Sequence, residues 1–334
     1  MKVEEVVKTY FDGGDHMTSL TIELTNVCNL KCCHCYLGNR EKAFDVQQVD
    51  YQSIKNTISQ ARKMNIFSIT FTGGEPFTYP FFYELVEYAN KLGLAVTVKT
   101  NGTFITEDNI EFIKKYIHVV VLSRYAFSSD IYYKVTGMNL YNKYVDAIDL
   151  LRQYGVRYQE RGIVLKENEC QIDEFIQSGI KLEGYISIEK DEPYAFEHLP
   201  SKEVTKKIYS TLLNSGVKLP TYELDKRVCN LGTCSLLINS KGEYNPCTNF
   251  YYPIGRISEN SLKEVWESTQ KLDLIERCKL KYFIRCSNCP NKQYIFSMAP
   301  CNNFAETGNM NTVSKNMCNH CDIIKEIVYE KNKC

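Results

Sequence analysis

No run of this 334-residue chain approaches the roughly 18 consecutive apolar residues that a membrane-spanning helix needs. The N-terminus, MKVEEVVKTYFDGGDH, is polar and charged and lacks the apolar segment of a secretory signal. Together these absences predict a cytoplasmic protein that does not enter a membrane. Net charge is absent too, since Lys+Arg and Asp+Glu both number 40. A chain without cationic excess does not capture nucleic acid by broad electrostatics, so no nucleic-acid partner is expected. Tryptophan occurs once, as Trp266 in SLKEVWES, a helical-looking stretch expected to pack in a second domain. A disulfide framework is excluded twice. A reducing compartment keeps thiols reduced, and the 15 cysteines are odd in number.

What is present, then, is cysteine with some other task. Cys28, Cys32, Cys33 and Cys35 crowd into NVCNLKCCHCYLGN near the start. Cys229, Cys234, Cys247, Cys278, Cys286, Cys289, Cys301, Cys318, Cys321 and Cys334 lie in the last third, and only Cys170 falls between. Such segregation suggests two metal-bearing regions separated by a metal-free scaffold. The length suits one large barrel with an appendage.

Periodicity supplies the scaffold. Strands are predicted at 19–24, 66–72, 94–99, 118–122, 158–166 and 184–190. Helices are predicted at 47–63, 80–93, 106–116, 142–155 and 168–179, with Thr106 as an N-cap. Strands alternating with helices argue for parallel units with right-handed crossovers. Six units are too few for a closed eight-fold barrel. The expectation is α/β: a partial (β/α)6 TIM-like barrel with a small C-terminal cysteine-rich domain.

Parallel α/β folds place their sites at the carboxyl ends of the strands. The cysteine loop, TGGEP (72–76), TNGT (100–103), SRYAFSSD (123–130) and KEN (166–168) each follow a predicted strand. All five land on one rim, which supports one active site. Cys28, Cys32 and Cys35 have the spacing CxxxCxxC. Three thiolates on a short loop can bind three irons of a [4Fe-4S] cube and leave the fourth open. Zinc is the rival, but its structural sites usually take four protein ligands. Cys33 is read as a bystander.

CxxxCxxC followed by Gly73-Gly74-Glu75-Pro76 resembles the radical S-adenosylmethionine (SAM) superfamily over roughly residues 20–190. The resemblance implies SAM chelated to the open iron through its amino and carboxylate groups. Electron injection, from a donor such as flavodoxin or ferredoxin, then yields a 5′-deoxyadenosyl radical that abstracts a substrate hydrogen. By position, Gly73, Gly74 and Glu75 hold the methionine ammonium, His34 lies near the adenine, and Ser123 is a ribose candidate. Lys134 fills the slot of a basic residue for the SAM carboxylate, with Arg124 as the alternative. Asn101 and Asn168 are further cofactor candidates. Asn101-Gly102 also reads as a simple turn, and Asn168 as a helix cap.

The last third resembles the SPASM domain, an auxiliary iron–sulfur module. The residues carrying the pattern are Cys229, Cys234, Gly242 and Cys247, then Cys286 and Cys289, Cys301, Cys318 and Cys321. LINSKGEYNPC reads as a hairpin turning at Lys241-Gly242. Where the family has another cysteine, this chain has Ser297. The implied sets are Cys229, Cys234, Cys247 and Cys301 for one cluster, and Cys286, Cys289, Cys318 and Cys321 for the other. An incomplete second cluster is the rival. Cys170, Cys278 and Cys334 are left over as buried or tail thiols, with Cys170 and Cys278 the spare thiols considered for chemistry.

The domain expectation is an extension (1–18), a barrel (19–195), a helical connector (196–226) and the cluster domain (227–334). The function expected from the resemblance is modification of a ribosomally made precursor peptide, most simply by an intramolecular crosslink. Either a separate leader-binding protein or the barrel itself recognises the leader. The alternatives are a peptide epimerase using a spare thiol as hydrogen donor, a formylglycine-generating maturase, and a non-catalytic iron–sulfur or zinc scaffold.

Overall fold

The computed structural model describes residues 16–38, 45–183, 197–296 and 298–331. Five strand–helix units open the chain. β1 (Ser19–Glu23) leads through the cysteine loop to α1 (Tyr51–Lys63), and β2 (Ser68–Thr72) to α2 (Phe82–Lys91). β3 (Ala95–Thr100) leads to α3 (Ile110–Tyr116), and β4 (Val119–Arg124) to α4 (Ser129–Thr136) and α5 (Tyr141–Gln153). β5 (Tyr158–Ile163) leads to α6 (Ile172–Gln177), and β6 (Lys181–Glu183) follows. The first six strands pair in parallel in the order 6-5-4-3-2-1. The predicted sixth strand, 184–190, falls outside the described residues, and β6 lies just before it.

Local chemistry explains the element ends. Asp50 caps α1 by accepting from Ser53 N at 2.8 Å, and Arg62 and Lys63 sit in its last turn, favourable to the helix dipole. Ile54, Thr57, Ile58 and Ala61 recur at helical spacing and are buried. Thr106 does not cap the third helix. That helix begins at Ile110, because the Asn109 side chain accepts from Thr106 N (3.0 Å) and donates to Phe104 O (2.7 Å), holding 104–109 as a turn. The helix Ser129–Thr136 was not foreseen. It ends at Gly137, and Lys31 N and Cys33 N donate to Thr136 O and Val135 O, so this helix end braces the cysteine loop.

Strand alternation gives the sheet two unlike faces. Leu20, Ile22, Ile69, Phe71, Val96, Val98, Val120 and Leu122 face the helices and are at most 1% exposed. Thr21, Glu23, Thr70, Thr72, Thr97, Lys99, Val121, Ser123, Gln159 and Arg161 face the barrel interior.

The C-terminal region does not stand apart. β7 (Ser235–Ile238) pairs in parallel with β1, and β8 (Glu243–Asn245) and β9 (Gly255–Arg256) continue antiparallel. Among the described residues nine strands form one sheet. β7 covers the edge that β1 would otherwise present with unpaired backbone groups. The connector contains α7 (Lys202–Asn214), which ion-pairs with the C-terminal helix through Lys202–Glu326 and Lys206–Glu330, both at 2.7 Å. Trp266 ends α8 (Leu262–Trp266), which starts with a Ser261/Glu264 capping box. α9 (Thr269–Arg277), α10 (Ile284–Ser287), α11 (Pro300–Thr307) and α12 (Lys315–Lys331) complete the chain.

Candidate functional site

The first cysteine loop folds back on itself, with Cys35 N donating to Cys32 O at 3.2 Å. Burial pushes the Cys32 thiol well up, and the nearby Cys35, Cys28 and Cys33 add to that rise. Tyr125, just past β4, hydrogen-bonds the Cys32 sulfur and is itself hydrogen-bonded by Ser123. The Cys28 sulfur accepts from Leu30 N (3.4 Å) and from Asn101 Nδ2 (3.8 Å). Asn101 also donates to Asn29 Oδ1 at 2.8 Å, and its own oxygen accepts from Thr103 N. Asn101 is therefore directed at the cysteine loop, and the turn reading holds for Gly102, whose φ is +84°.

The Gly73-Gly74 pair lies against the chain that follows β1. Gly74 N donates to Thr25 O (2.7 Å) and Glu75 N to Val27 O (2.8 Å). A Cβ at Gly73 would stand 2.3 Å from Thr25 O, and one at Gly74 2.2 Å from Val27 O, so neither position has room for a side chain. The carbonyl oxygens of Gly73 and Gly74 accept no hydrogen bond among the described residues. Two such oxygens suit an ammonium group. Glu75 does not contribute its charge in the expected way. It is fully buried, accepting from Thr100 Oγ1 (2.8 Å), Asn101 N (2.9 Å) and Phe77 N (3.3 Å). It is a brace between the second and third rim loops.

Burial raises the Glu75 carboxyl to about 7, against the opposing pull of the Asn101, Thr100 and Phe77 hydrogen bonds. A carboxyl raised on folding contributes stability that is fully present below its unfolded value and is lost as pH rises through the folded one. Wild type should therefore weaken relative to Glu75→Gln as pH rises from about 4.5 to about 7, by up to about 3 kcal/mol. Urea midpoints of both proteins across that range check it; a pH-independent difference would contradict it.

His34 packs against Tyr125, with ring centroids 5.6 Å apart. Burial and the charge of His198 lower it to about 4, so it is neutral at pH 7. Its Nδ1 is buried and has no hydrogen-bond partner, leaving an acceptor or donor open beside the cysteine loop.

Two expected cofactor contacts are corrected. Arg124 faces the helices, with Nη2 2.5 Å from Glu160 Oε1, and Tyr144 Oη donates to the same oxygen at 2.6 Å. The pair is largely buried on the far side of the sheet, so Arg124 is not on the rim. Asn168 is fully buried and donates to Tyr125 O (2.8 Å) and Ile163 O (2.9 Å) while accepting from Leu165 N (2.7 Å). It ties the loop after β5 to that after β4, and neither caps the next helix nor reaches a ligand. Lys134 is exposed in the last turn of α4, next to Val135 and Thr136, whose carbonyls brace the cysteine loop. Ser123 and His34 remain on the rim.

The C-terminal cysteines converge as two groups. Burial raises the thiols of Cys229, Cys247 and Cys301; Cys247 adds to the rise of Cys229, Cys247 and Cys229 to that of Cys301, and Cys234 to that of Cys247. In the second group burial, with Cys318, Cys289 and Cys321 beside it, pushes the Cys286 thiol to about 12, and burial, with Cys289 and Cys318 nearby, pushes Cys321 to about 11. Cys318 and Cys321 sit one turn apart on α12, facing the CxxC of α10. Cys321 thus lies with the second set; Ser297 falls outside the described residues. Buried thiols that resist ionisation become thiolates when a metal neutralises them.

Among the described residues only Cys33, Glu167 and His198 bring three donor atoms within 4.8 Å of one another. Tetrahedral zinc, with Zn–S near 2.3 Å, holds sulfurs about 3.8 Å apart. The cysteine sets are wider than one zinc requires and suit multi-iron clusters. Cys33 is more than a bystander: His198 Nδ1 lies 2.6 Å from Glu167 Oε1, and burial and Glu167 push the Cys33 thiol up to about 12. Glu167 and His198 are too far apart in sequence for any spacing to have signalled this. Tyr125, also missed, carried a weak signal as part of the polar stretch after β4. Cys170 is exposed, whereas Cys278 is fully buried against Cys229, Cys247 and Cys301 and offers no thiol to a substrate.

Comparison with known proteins agrees with this architecture. Residues 22–178 match the model of the radical SAM superfamily, and residues 229–290 match SPASM, described as an iron-sulfur cluster-binding domain. The antilisterial bacteriocin subtilosin biosynthesis protein AlbA of Bacillus subtilis (strain 168) is 25% identical over 269 residues, covering 74% of this chain and 59% of AlbA. The mycofactocin maturase MftC of Mycolicibacterium smegmatis is 25% identical over 294 residues, 80% of this chain and 74% of MftC. Among solved structures, Streptococcus suis SuiB bound to S-adenosylmethionine superposes with a TM-score of 0.62 at 18% identity, over 94% of this chain and 80% of SuiB. AnSMEcpe with bound AdoMet gives 0.68 at 17%, over 94% and 97%. These structural likenesses concern the fold. No helix among the described residues is long and apolar enough to cross a membrane.

Proposed function

The chain belongs to the radical SAM superfamily and carries a SPASM iron–sulfur domain, with SAM and [4Fe-4S] clusters as its cofactors, and on that premise we propose that it modifies a ribosomally made precursor peptide, installing an intramolecular crosslink. The observation that carries this reading is the three-cysteine rim loop after β1 together with two further four-cysteine sets, one with members flanking β7 and β8 of the same sheet and one gathered by α10 and α12. When bound, the first cluster and SAM supply a 5′-deoxyadenosyl radical that takes a substrate hydrogen. Cys28, Cys32 and Cys35 would hold that cluster. The carbonyls of Gly73 and Gly74 would receive the SAM ammonium, Ser123 the ribose, and His34 Nδ1 the adenine. Cys229, Cys234, Cys247 and Cys301, and Cys286, Cys289, Cys318 and Cys321, would hold the auxiliary clusters. Crosslinking removes two hydrogens, so one electron must leave the peptide after hydrogen abstraction. The first auxiliary site, whose Cys234 and Cys247 flank strands continuous with the barrel, would accept it. AlbA is named for bacteriocin biosynthesis, MftC as a maturase, and SuiB has been crystallised with a precursor peptide, SuiA, which supports a peptide substrate.

Coexpression with a precursor peptide encoded beside this protein, followed by mass spectrometry, tests the proposal. The expected product is lighter by two hydrogens per event. Unchanged mass in ordinary water, with one deuterium gained in heavy water, would move the enzyme to the epimerase class. The burial of Cys278 leaves Cys170 as the accessible one of the two spare thiols for that route.

Asn101 has a role toward the first cluster that a spectroscopic measurement reads. N–H···S bonds stabilise the more negative, reduced cluster and raise its potential. Asn101→Ala removes such a bond to Cys28 and leaves that from Leu30 N. Its potential, followed by electron paramagnetic resonance, should fall by a few tens of mV, where about 59 mV is a tenfold change for one electron. An unchanged potential would assign Asn101 to folding alone.

A further inference from the structure

We propose that the interior face of the open barrel, from β3 to β6, binds an acidic segment of the substrate peptide. The proposal rests on the peptide-modifying reading above. Lys99 lies on β3 opposite in phase to the buried Val98 and Thr100, so it faces the interior and is exposed. Val98 pairs with Val120 and Lys99 with Val121, and Val121 with Gln159, placing Lys99, Val121 and Gln159 in one lateral row. Arg161 pairs with Ser123 and Lys181, one layer nearer the rim. Their helix-facing neighbour Glu160 is the residue that holds Arg124, which fixes Gln159 and Arg161 on the other face.

Helix-borne Lys91, Arg152, Lys202, Lys206 and Lys207 each lie within 4.0 Å of a carboxylate. Lys99 and Lys181 have no carboxylate partner among the described residues, and Arg161 donates only to Gln159 Oε1, at 2.9 Å. Glu23 shares the row of Lys99 but lies two strands away, about 10 Å. It is held by the Tyr251 and Tyr36 hydroxyls.

Cations gathered on one open face of a chain with no net charge repel one another and focus an attractive field for an anion. Arg161 can take a carboxylate in two-point contact. Lys99 and Arg161 have Cα atoms about 12 Å apart from strand geometry, and both side chains can reach one carboxylate or two neighbouring ones. Ser123, beside Arg161, connects through Tyr125 to Cys32. An acidic anchor here would place the adjoining peptide residues between the rim loop and the auxiliary cysteines.

The test uses the full, anaerobically reconstituted protein and two fluorescein-labelled decapeptides, one alternating Glu and Gly, the other Gln and Gly. Fluorescence anisotropy should show the Glu peptide binding at least about tenfold tighter, weakening as salt rises. Arg161→Gln and Lys99→Gln should each cost the Glu peptide about tenfold and leave the Gln peptide unchanged, with Arg161→Lys recovering part of the loss. Lys63→Gln, at the exposed end of α1, should change nothing. Equal affinity for the two peptides, or an equal loss in Lys63→Gln, would overturn the proposal while leaving the enzymatic reading intact. Failure of the wild-type protein to form 5′-deoxyadenosine from SAM under reduction would overturn that reading and this proposal with it.

Discussion

Replacing Cys28, Cys32 and Cys35 together by Ala is expected to abolish 5′-deoxyadenosine formation and to remove about four of about twelve irons per chain. The three thiols have no substitutes. Cys33 is turned toward Glu167 and His198, and the next cysteines belong to other sets. Without them no open iron is held beside the Gly73-Gly74 carbonyls. Replacing Cys286 and Cys289 should also remove about four irons, yet leave measurable SAM cleavage and abolish the modified peptide. The two variants thus separate radical generation from electron removal. Equal loss of cleavage in both would mean that the second set supports folding or reduction of the first. Iron near four per chain in the wild type, with bound zinc, would remove the three-cluster arrangement.

Gly74→Ala is expected to be nearly as damaging, for a steric reason. The added methyl would lie 2.2 Å from Val27 O and 2.6 Å from Val27 C. Both are backbone atoms of the segment that enters the cysteine loop, and that segment is bonded on the same side by Glu75 N. It cannot rotate away as a flexible side chain would. Either the β2 loop or residues 25–27 must move, and both flank the first cysteine. The expected cost is about 3 kcal/mol or more in unfolding free energy, with SAM cleavage lost in whatever protein folds. Urea denaturation and a 5′-deoxyadenosine assay measure the two effects. Stability within about 0.5 kcal/mol of wild type together with normal cleavage would refute the argument.

Local sequence determined the elements and their chemistry. Apolar spacing marked five of the helices and most strands to within a few residues, because each buries one face and the period of burial is the period of the backbone. It also placed the cysteine loop and the Gly-Gly-Glu-Pro turn after successive strands, which in a parallel sheet is enough to put them on one rim. Facing and partnership were left to the tertiary structure. Arg124 and Ser123 are neighbours on one strand, and alternation says only that they point opposite ways. Packing of α5 against the sheet decided that Arg124 meets Glu160 and Tyr144 while Ser123 faces the interior. Asn168 looked like a cap, and loop closure instead aimed it at Tyr125 and Ile163. The pairing of β7 with β1 joins strands more than 200 residues apart in sequence. No local pattern encodes that pairing; it arises because an apolar strand and an open sheet edge each leave backbone groups unsatisfied until they meet.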